Sequence, residues 1–83
     1  MNKALVELYV PAVGDYFDVF VPVDVPIGEL TDVIANGIVE LTNGKYVASK
    51  YEQLCLRVPA GLLNPSLTLQ DYGVKDGTRL YFV

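Results

Sequence analysis

The segment Val21-Pro22-Val23-Asp24-Val25-Pro26-Ile27-Gly28-Glu29-Leu30, with its continuation to Leu41, decides the fold, because within it the apolar period changes from two to about 3.6. Upstream, Phe17, Val19 and Val21 share one side of an extended chain, and Asp18, Phe20 and Pro22 share the other. Downstream, Ile27, Leu30, Val33, Ile34, Ile38 and Leu41 fall on one helical stripe, while Glu29, Asp32, Asn36 and Glu40 project away. Pro26 suits a first helical turn, and Asp24 and Glu29 sit where the positive end of a helix dipole favours acids. Either Asn36-Gly37 or Asn43-Gly44 can end this helix, and the periodic Ile38 and Leu41 argue for the second.

Working outward, Lys3 to Val10 alternates as a strand, with Val6, Leu8 and Val10 on one face and Glu7 and Tyr9 on the other. Pro11, Gly14 and Asp15 turn the chain into a second strand, Tyr16 to Val23, which completes a hairpin. Pro22 has no amide hydrogen to give a ladder, so the second strand belongs at an edge. Beyond the helix, Tyr51 to Val58 alternates with Leu54, Leu56 and Val58 inward and Cys55 and Arg57 outward. A turn at Pro59-Ala60-Gly61 leads through Leu62-Leu63 and Asn64-Pro65 into Leu67 to Val74. Asp76-Gly77 is a further turn, and Thr78 to Val83 reads as a closing strand with Leu80 and Phe82 inward. Two strands, a helix, a strand, a short strand and a final strand make an α+β roll: a mixed sheet of four to five strands with one helix packed across it, in a single domain spanning residues 1–83.

Composition narrows the chemistry. At 83 residues, 52% hydrophobic and 19% charged, the chain is apolar enough to pack a core rather than stay disordered. It has no His and one Cys, so metal sites and imidazole catalysis are not expected, and no cofactor is implied. Cys55, alone on a strand, reads as a small hydrophobe, and Asp71 and Asp76 read as turn residues that satisfy backbone groups. A net charge of −4 opposes binding to nucleic acid or anionic lipid. The longest uncharged stretch, Val58 to Gln70, is broken by Pro59, Gly61, Asn64 and Pro65, and Glu7 interrupts the N-terminal apolar run, so neither a membrane span nor a signal peptide is expected. A soluble, cytoplasmic protein is the resulting expectation.

The run Leu69-Gln70-Asp71-Tyr72-Gly73-Val74-Lys75-Asp76-Gly77-Thr78-Arg79-Leu80 resembles the closing segment of ubiquitin-like β-grasp domains. The spacing from Phe17, Val19 and Val21 through Ile27 to Leu30 and Ile34 resembles their hairpin-to-helix segment. In such a fold the first and last strands lie adjacent and parallel at the sheet centre. Tyr72 should set its phenol against a loop backbone group, and Gly77 should supply a positive φ. More narrowly, Val21 to Leu30 and the length of the chain resemble the YukD (EsaB-like) family of type VII, WXG100-type, secretion. That resemblance implies a non-enzymatic adaptor whose partner is a protein, the cytosolic part of a secretion membrane component or its ATPase.

Ubiquitin-type conjugation and sulfur carriage need a flexible diglycine tail, whereas this sequence closes on Tyr81-Phe82-Val83, so neither activation nor conjugation is expected. The alternatives are a carrier whose diglycine tail lies outside this sequence and the ubiquitin-like domain of a larger secretion component. Ubiquitin-like proteins bind through the outer sheet face, using an aliphatic patch. Here outward parity brings Arg57 beside Tyr81 and Val83, with Tyr9 as a neighbour, and Arg57 departs from the aliphatic pattern. Tyr81 is the expected anchor and Arg57 an exposed charge that steers association, with Phe20 and Pro22 as a second contact point.

Overall fold

The computed structural model describes residues 2–57 and 60–83. Its elements are β1 (Lys3–Val10), β2 (Asp15–Pro22), α1 (Ile27–Leu41), β3 (Leu54–Arg57), β4 (Ala60–Leu62), a 3₁₀ turn (Gln70–Tyr72) and β5 (Arg79–Phe82). The strands form one five-stranded sheet in the order β2-β1-β5-β3-β4. β1 and β5 run parallel at its centre with Leu8 opposite Leu80, and every other pairing is antiparallel. This is the β-grasp arrangement expected from the sequence, and β2 lies at an edge as Pro22 required.

One face of the sheet carries Val6, Leu8, Val10, Val21, Leu54, Leu80 and Phe82 into the core, where α1 contributes Ile27, Leu30, Ile34, Ala35 and Ile38. Two residues expected on the helical stripe are not buried: Val33 and Leu41 are 64% and 59% exposed. Val33 lies well to one side of the line from Ile27 through Ile34 to Ile38, and Leu41 ends the helix beyond the buried turns. Ala35 fills the opposite flank, where a small side chain suffices.

The helix runs through Gly37 and stops after Leu41, where Asn43 and Gly44 take φ of 53° and 81° and the Gly44 N–H bonds to the Val39 carbonyl at 2.8 Å. Burying Ile38 is worth about 1.5–3 kcal/mol. That exceeds the roughly 1 kcal/mol that an interior glycine costs, so the first stop signal is overridden. At the other end no side chain caps α1, and the Ile27 and Gly28 amides instead donate to the carbonyls of Leu67 and Pro65 at 2.8 and 2.9 Å. The loop after β4 is therefore part of the helix start.

Several boundaries differ from the sequence reading. β2 begins and ends one residue earlier than expected, and β3 begins at Leu54 rather than Tyr51. Tyr51 is 87% exposed, and the ladder reaches back only as far as Gln53, which exchanges two backbone bonds with Val83. Ala60 and Gly61, read as turn, instead belong to β4 and pair with Arg57 and Leu56. Val58 and Pro59, read as strand end and turn, lie outside the described residues. Gly77 has a φ of 89°, its amide meets the Leu5 carbonyl at 2.8 Å, and Asp76 Oδ1 accepts from the Leu5 amide at 2.8 Å. The last turn thereby ties the closing strand to the first. Tyr72 places its hydroxyl 2.9 Å from the Asn64 amide, which donates to it, as the loop-facing phenol required.

The connection from α1 to β3 is held by one polar cluster. Tyr46, buried against Phe82, donates its hydroxyl to Glu52 Oε2 at 2.8 Å, and the Ser49 amide donates to the same oxygen at 2.7 Å. Burial opposes the Glu52 charge, but the Ser49 amide, the Tyr46 hydroxyl and further amides outweigh it and hold the carboxyl below its usual value. Burial, followed by the Glu52 carboxylate, pushes the Tyr46 phenol well above its usual value.

Leu30→Ala and Ile34→Ala should each lower unfolding free energy by about 2–5 kcal/mol in urea titrations, whereas Val33→Ala should change it by less than about 0.5 kcal/mol. Equal losses at all three positions would contradict the packing. Because the folded state lowers the Glu52 pKa, its contribution is complete above the unfolded value of about 4.3 and fades as pH falls through the lower folded value. Glu52→Gln should therefore be less stable than the parent at neutral pH, and the gap should close with acidification.

Candidate functional site

The outer face of the sheet is built by strand parity. Residues opposite one another across the strands form two rows: Asp18, Glu7, Arg79 and Arg57, then Tyr16, Tyr9, Tyr81, Cys55 and Leu62. The first row changes sign midway, from acidic on β2 and β1 to basic on β5 and β3. The second is predominantly aromatic.

The two rows are tied together by Arg57. Its Nη1 donates to Glu7 Oε1 at 2.7 Å, while its guanidinium carbon lies 5.4 Å from the Tyr16 ring centroid and 5.2 Å from that of Tyr81. The side chain thus reaches across β5 and β1 with its planar head between two rings, a geometry in which guanidinium and aromatic faces attract. Tyr9 completes the cluster, with its centroid 4.6 Å from Tyr16 and 6.0 Å, edge-on, from Tyr81. The Arg57 side chain retains only 17% of its exposure and Glu7 33%. The hydrogen bond that Arg57 donates to the Glu7 carboxylate raises the Arg57 pKa further above its already high value.

This geometry corrects the expectation that Arg57 is a steering charge. Its charge is answered by Glu7 and its surface is covered by tyrosines, so it clamps the cluster rather than projecting from it. Arg79, 63% exposed and 3.8 Å from the same Glu7 oxygen, is an outward cation of this face.

Of the residues singled out from the sequence, Arg57, Tyr81 and Tyr9 are brought together. Val83 is on the same face by parity and 52% exposed. Phe20, 69% exposed, stands opposite Leu5 on the edge strand, two strand positions beyond Asp18 and apart from the tyrosine row. Sequence reasoning missed Tyr16 and the role of Glu7. The hairpin register carried the signal, since a turn confined to Pro11–Gly14 forces Tyr9 opposite Tyr16 and Glu7 opposite Asp18. Among side chains weighed for chemistry, Asp71 Oδ2 accepts from the Thr68 amide at 3.0 Å and Cys55 is half-buried between Tyr81 and Leu62 in the row.

The same fold and face can be set beside known proteins. The family model for protein YukD of the WXG100 protein secretion system matches residues 5–82. The chain belongs to the YukD family. No curated protein matches it in sequence. Among solved structures, the EccD5 ubiquitin-like domain from Mycobacterium xenopi superposes with a TM-score of 0.81 at 22% identity, covering 100% of this chain and 94% of that one. The ubiquitin-like domain of the Mycobacterium tuberculosis type VII secretion protein ECCD1 gives 0.77 at 18% identity, covering 100% and 99%. A chain of the MycP5-free ESX-5 inner membrane complex gives 0.79 at 19% identity, covering all of this YukD-family chain but 21% of its own length. At these identities the structural likenesses establish a ubiquitin-like fold. Among the described residues, no helix of this YukD-family chain is long and apolar enough to cross a membrane.

Removing the carboxylate from Glu7 should release the clamp. In Glu7→Gln the Arg57 guanidinium protons should exchange faster than in the parent and broaden in NMR spectra at neutral pH, with the Tyr16 and Tyr81 ring signals shifting together. Unchanged guanidinium signals would show that Arg57 is held by the rings alone.

Proposed function

We propose that this YukD-family chain is a non-enzymatic adaptor that acts in the cytoplasm by binding the cytosolic part of a type VII secretion membrane component or its ATPase, and that it is neither activated nor conjugated. The observation that carries this reading is the tyrosine cluster on the outer sheet face, pre-assembled around Arg57 and Glu7. Rigid aromatic area at low entropic cost suits a protein contact, and tyrosine and arginine are enriched where binding energy concentrates. The similarity to a domain within the ESX-5 inner membrane complex supports the choice of partner class. The engagement of the Asp71 and Asp76 carboxylates with backbone amides supports a structural rather than a chemical role for both.

The test titrates the purified cytosolic domain of the membrane component, and separately the ATPase, into isotope-labelled protein. Shifts concentrated on Tyr9, Tyr16, Tyr81 and Leu62 are expected with one of them. Tyr81→Ala should weaken that binding by about 2 kcal/mol, near thirtyfold. Arg79→Glu should weaken it most at low salt, because an exposed charge acts over the Debye length, while the effect of Arg57→Glu should depend little on salt. Full affinity in folded Tyr81→Ala would remove the sheet face from the contact. Formation of an acyl-adenylate with ATP and an activating enzyme would overturn the non-conjugated reading.

A further inference from the structure

The solvent side of α1 is not uniformly polar. Val33, Gly37 and Leu41 follow one another at a spacing of four and form one row along the helix, which places them opposite Val19 to Pro22 of β2. Between them runs an open apolar groove of about 210 Å³, with Leu30, Ile34 and Ile38 at its base. Val33 and Leu41 along it are 64% and 59% exposed, so the chain leaves an apolar strip uncovered where the core ends.

Two features of this strip work against the stability of the isolated chain. Gly37 sits inside the helix, yet a Cβ there would meet nothing within 4 Å, so no close packing in the chain calls for glycine. A residue without a side chain at the middle of an i, i+4 row lets a second helix approach closely. The charges are also one-sided. Those of β2 and α1 are Asp15, Asp18, Glu29, Asp32 and Glu40, all exposed, with no Lys or Arg in either element. Glu40 lies in the last turn of α1, where the negative end of the helix dipole disfavours an acid. Glu29 and Glu40 both lie on the side of the helix that carries Val33, at spacings of four and seven.

We propose that this groove docks a basic amphipathic helix of a partner protein. Aliphatic side chains of that helix enter between Val33 and Leu41 on α1 and the Val19 to Pro22 edge of β2, its backbone approaches over Gly37, and its Lys or Arg residues meet Glu29 and Glu40. The charge of the surface selects the occupant: an acidic strip disfavours another acidic surface, including a second copy of itself, and rewards a cationic one. The groove lies on the helix side of β2, away from the tyrosine row, so it is a binding surface additional to the sheet face.

The probe is a fluorescent Leu/Lys peptide of about 18 residues with helical apolar spacing, long enough to hold a helix, compared with a scrambled peptide of the same composition and a Leu/Glu counterpart. Saturable binding of the Leu/Lys peptide is expected, about tenfold or more tighter than either control and weakening as salt rises. Val33→Lys, at an exposed position, should leave the melting curve unchanged and weaken binding about tenfold. Gly37→Met should raise the melting temperature, because glycine is the poorer helix former, and yet weaken binding. That separation of stability from affinity would not arise from a glycine that only serves the fold. Tyr81→Ala should bind the peptide normally, which keeps this result independent of the sheet face. Equal binding of the scrambled or Leu/Glu peptide, or full affinity in Val33→Lys, would overturn the proposal. Sedimentation showing a dimer that Val33→Lys dissolves would overturn it too, by assigning the groove to a second copy of the chain.

Discussion

The parallel pairing of Leu8 with Leu80 is the constraint on which the rest of the structure depends. Both side chains are fully buried, and they bring the first strand and the last into register at the centre of the sheet. A parallel pair cannot be closed by a hairpin, so the chain between them must travel away and return. Here that path supplies the edge strand β2, the helix that covers the inner face, and β3 and β4 on the far side. The contact joins the two ends of the chain, and the bonds from Leu5 and Glu7 to residues 76–78 extend it beyond the ladder.

With one face of the sheet given to the core, function is confined to what the other face and the edges display. On the outer face a guanidinium, a carboxylate and three tyrosines form a self-consistent set, each member limiting the freedom of the next. The arrangement makes Arg57 part of the scaffold and leaves the tyrosines to present the surface. At the β2 edge the opposite holds. Apolar side chains stand open, a glycine weakens the helix, and the acids lie unanswered by any basic residue of β2 or α1. The ordered face and the uncovered groove thus differ in chemistry as well as place, and they suit different partners.

The amino-acid sequence by itself determined the period changes and hence the element types, because alternation and helical spacing follow from local backbone geometry. It also determined the edge position of the strand holding Pro22, the turn at Asp76-Gly77 and the core sides of β1, β2 and β5, since each depends on a single residue's chemistry or on parity. Tertiary structure alone decided where the helix stripe stops being covered. Leu41 keeps the helical angle of Ile34 and Ile38 but ends the helix beyond the buried turns, and Val33, to one side of that line, has nothing packed over it. It settled that the helix runs through Gly37, as the periodic Ile38 and Leu41 argued, because burial of Ile38 outweighs the glycine, and it alone decided that Ala60 and Gly61 form an edge strand, because β3 offers them a ladder. The role of Arg57 was likewise beyond the sequence. Parity placed it outward, yet whether an outward arginine reaches solvent or lies down across two strands depends on what those strands set beside it, and here they set Glu7, Tyr16 and Tyr81 within its reach.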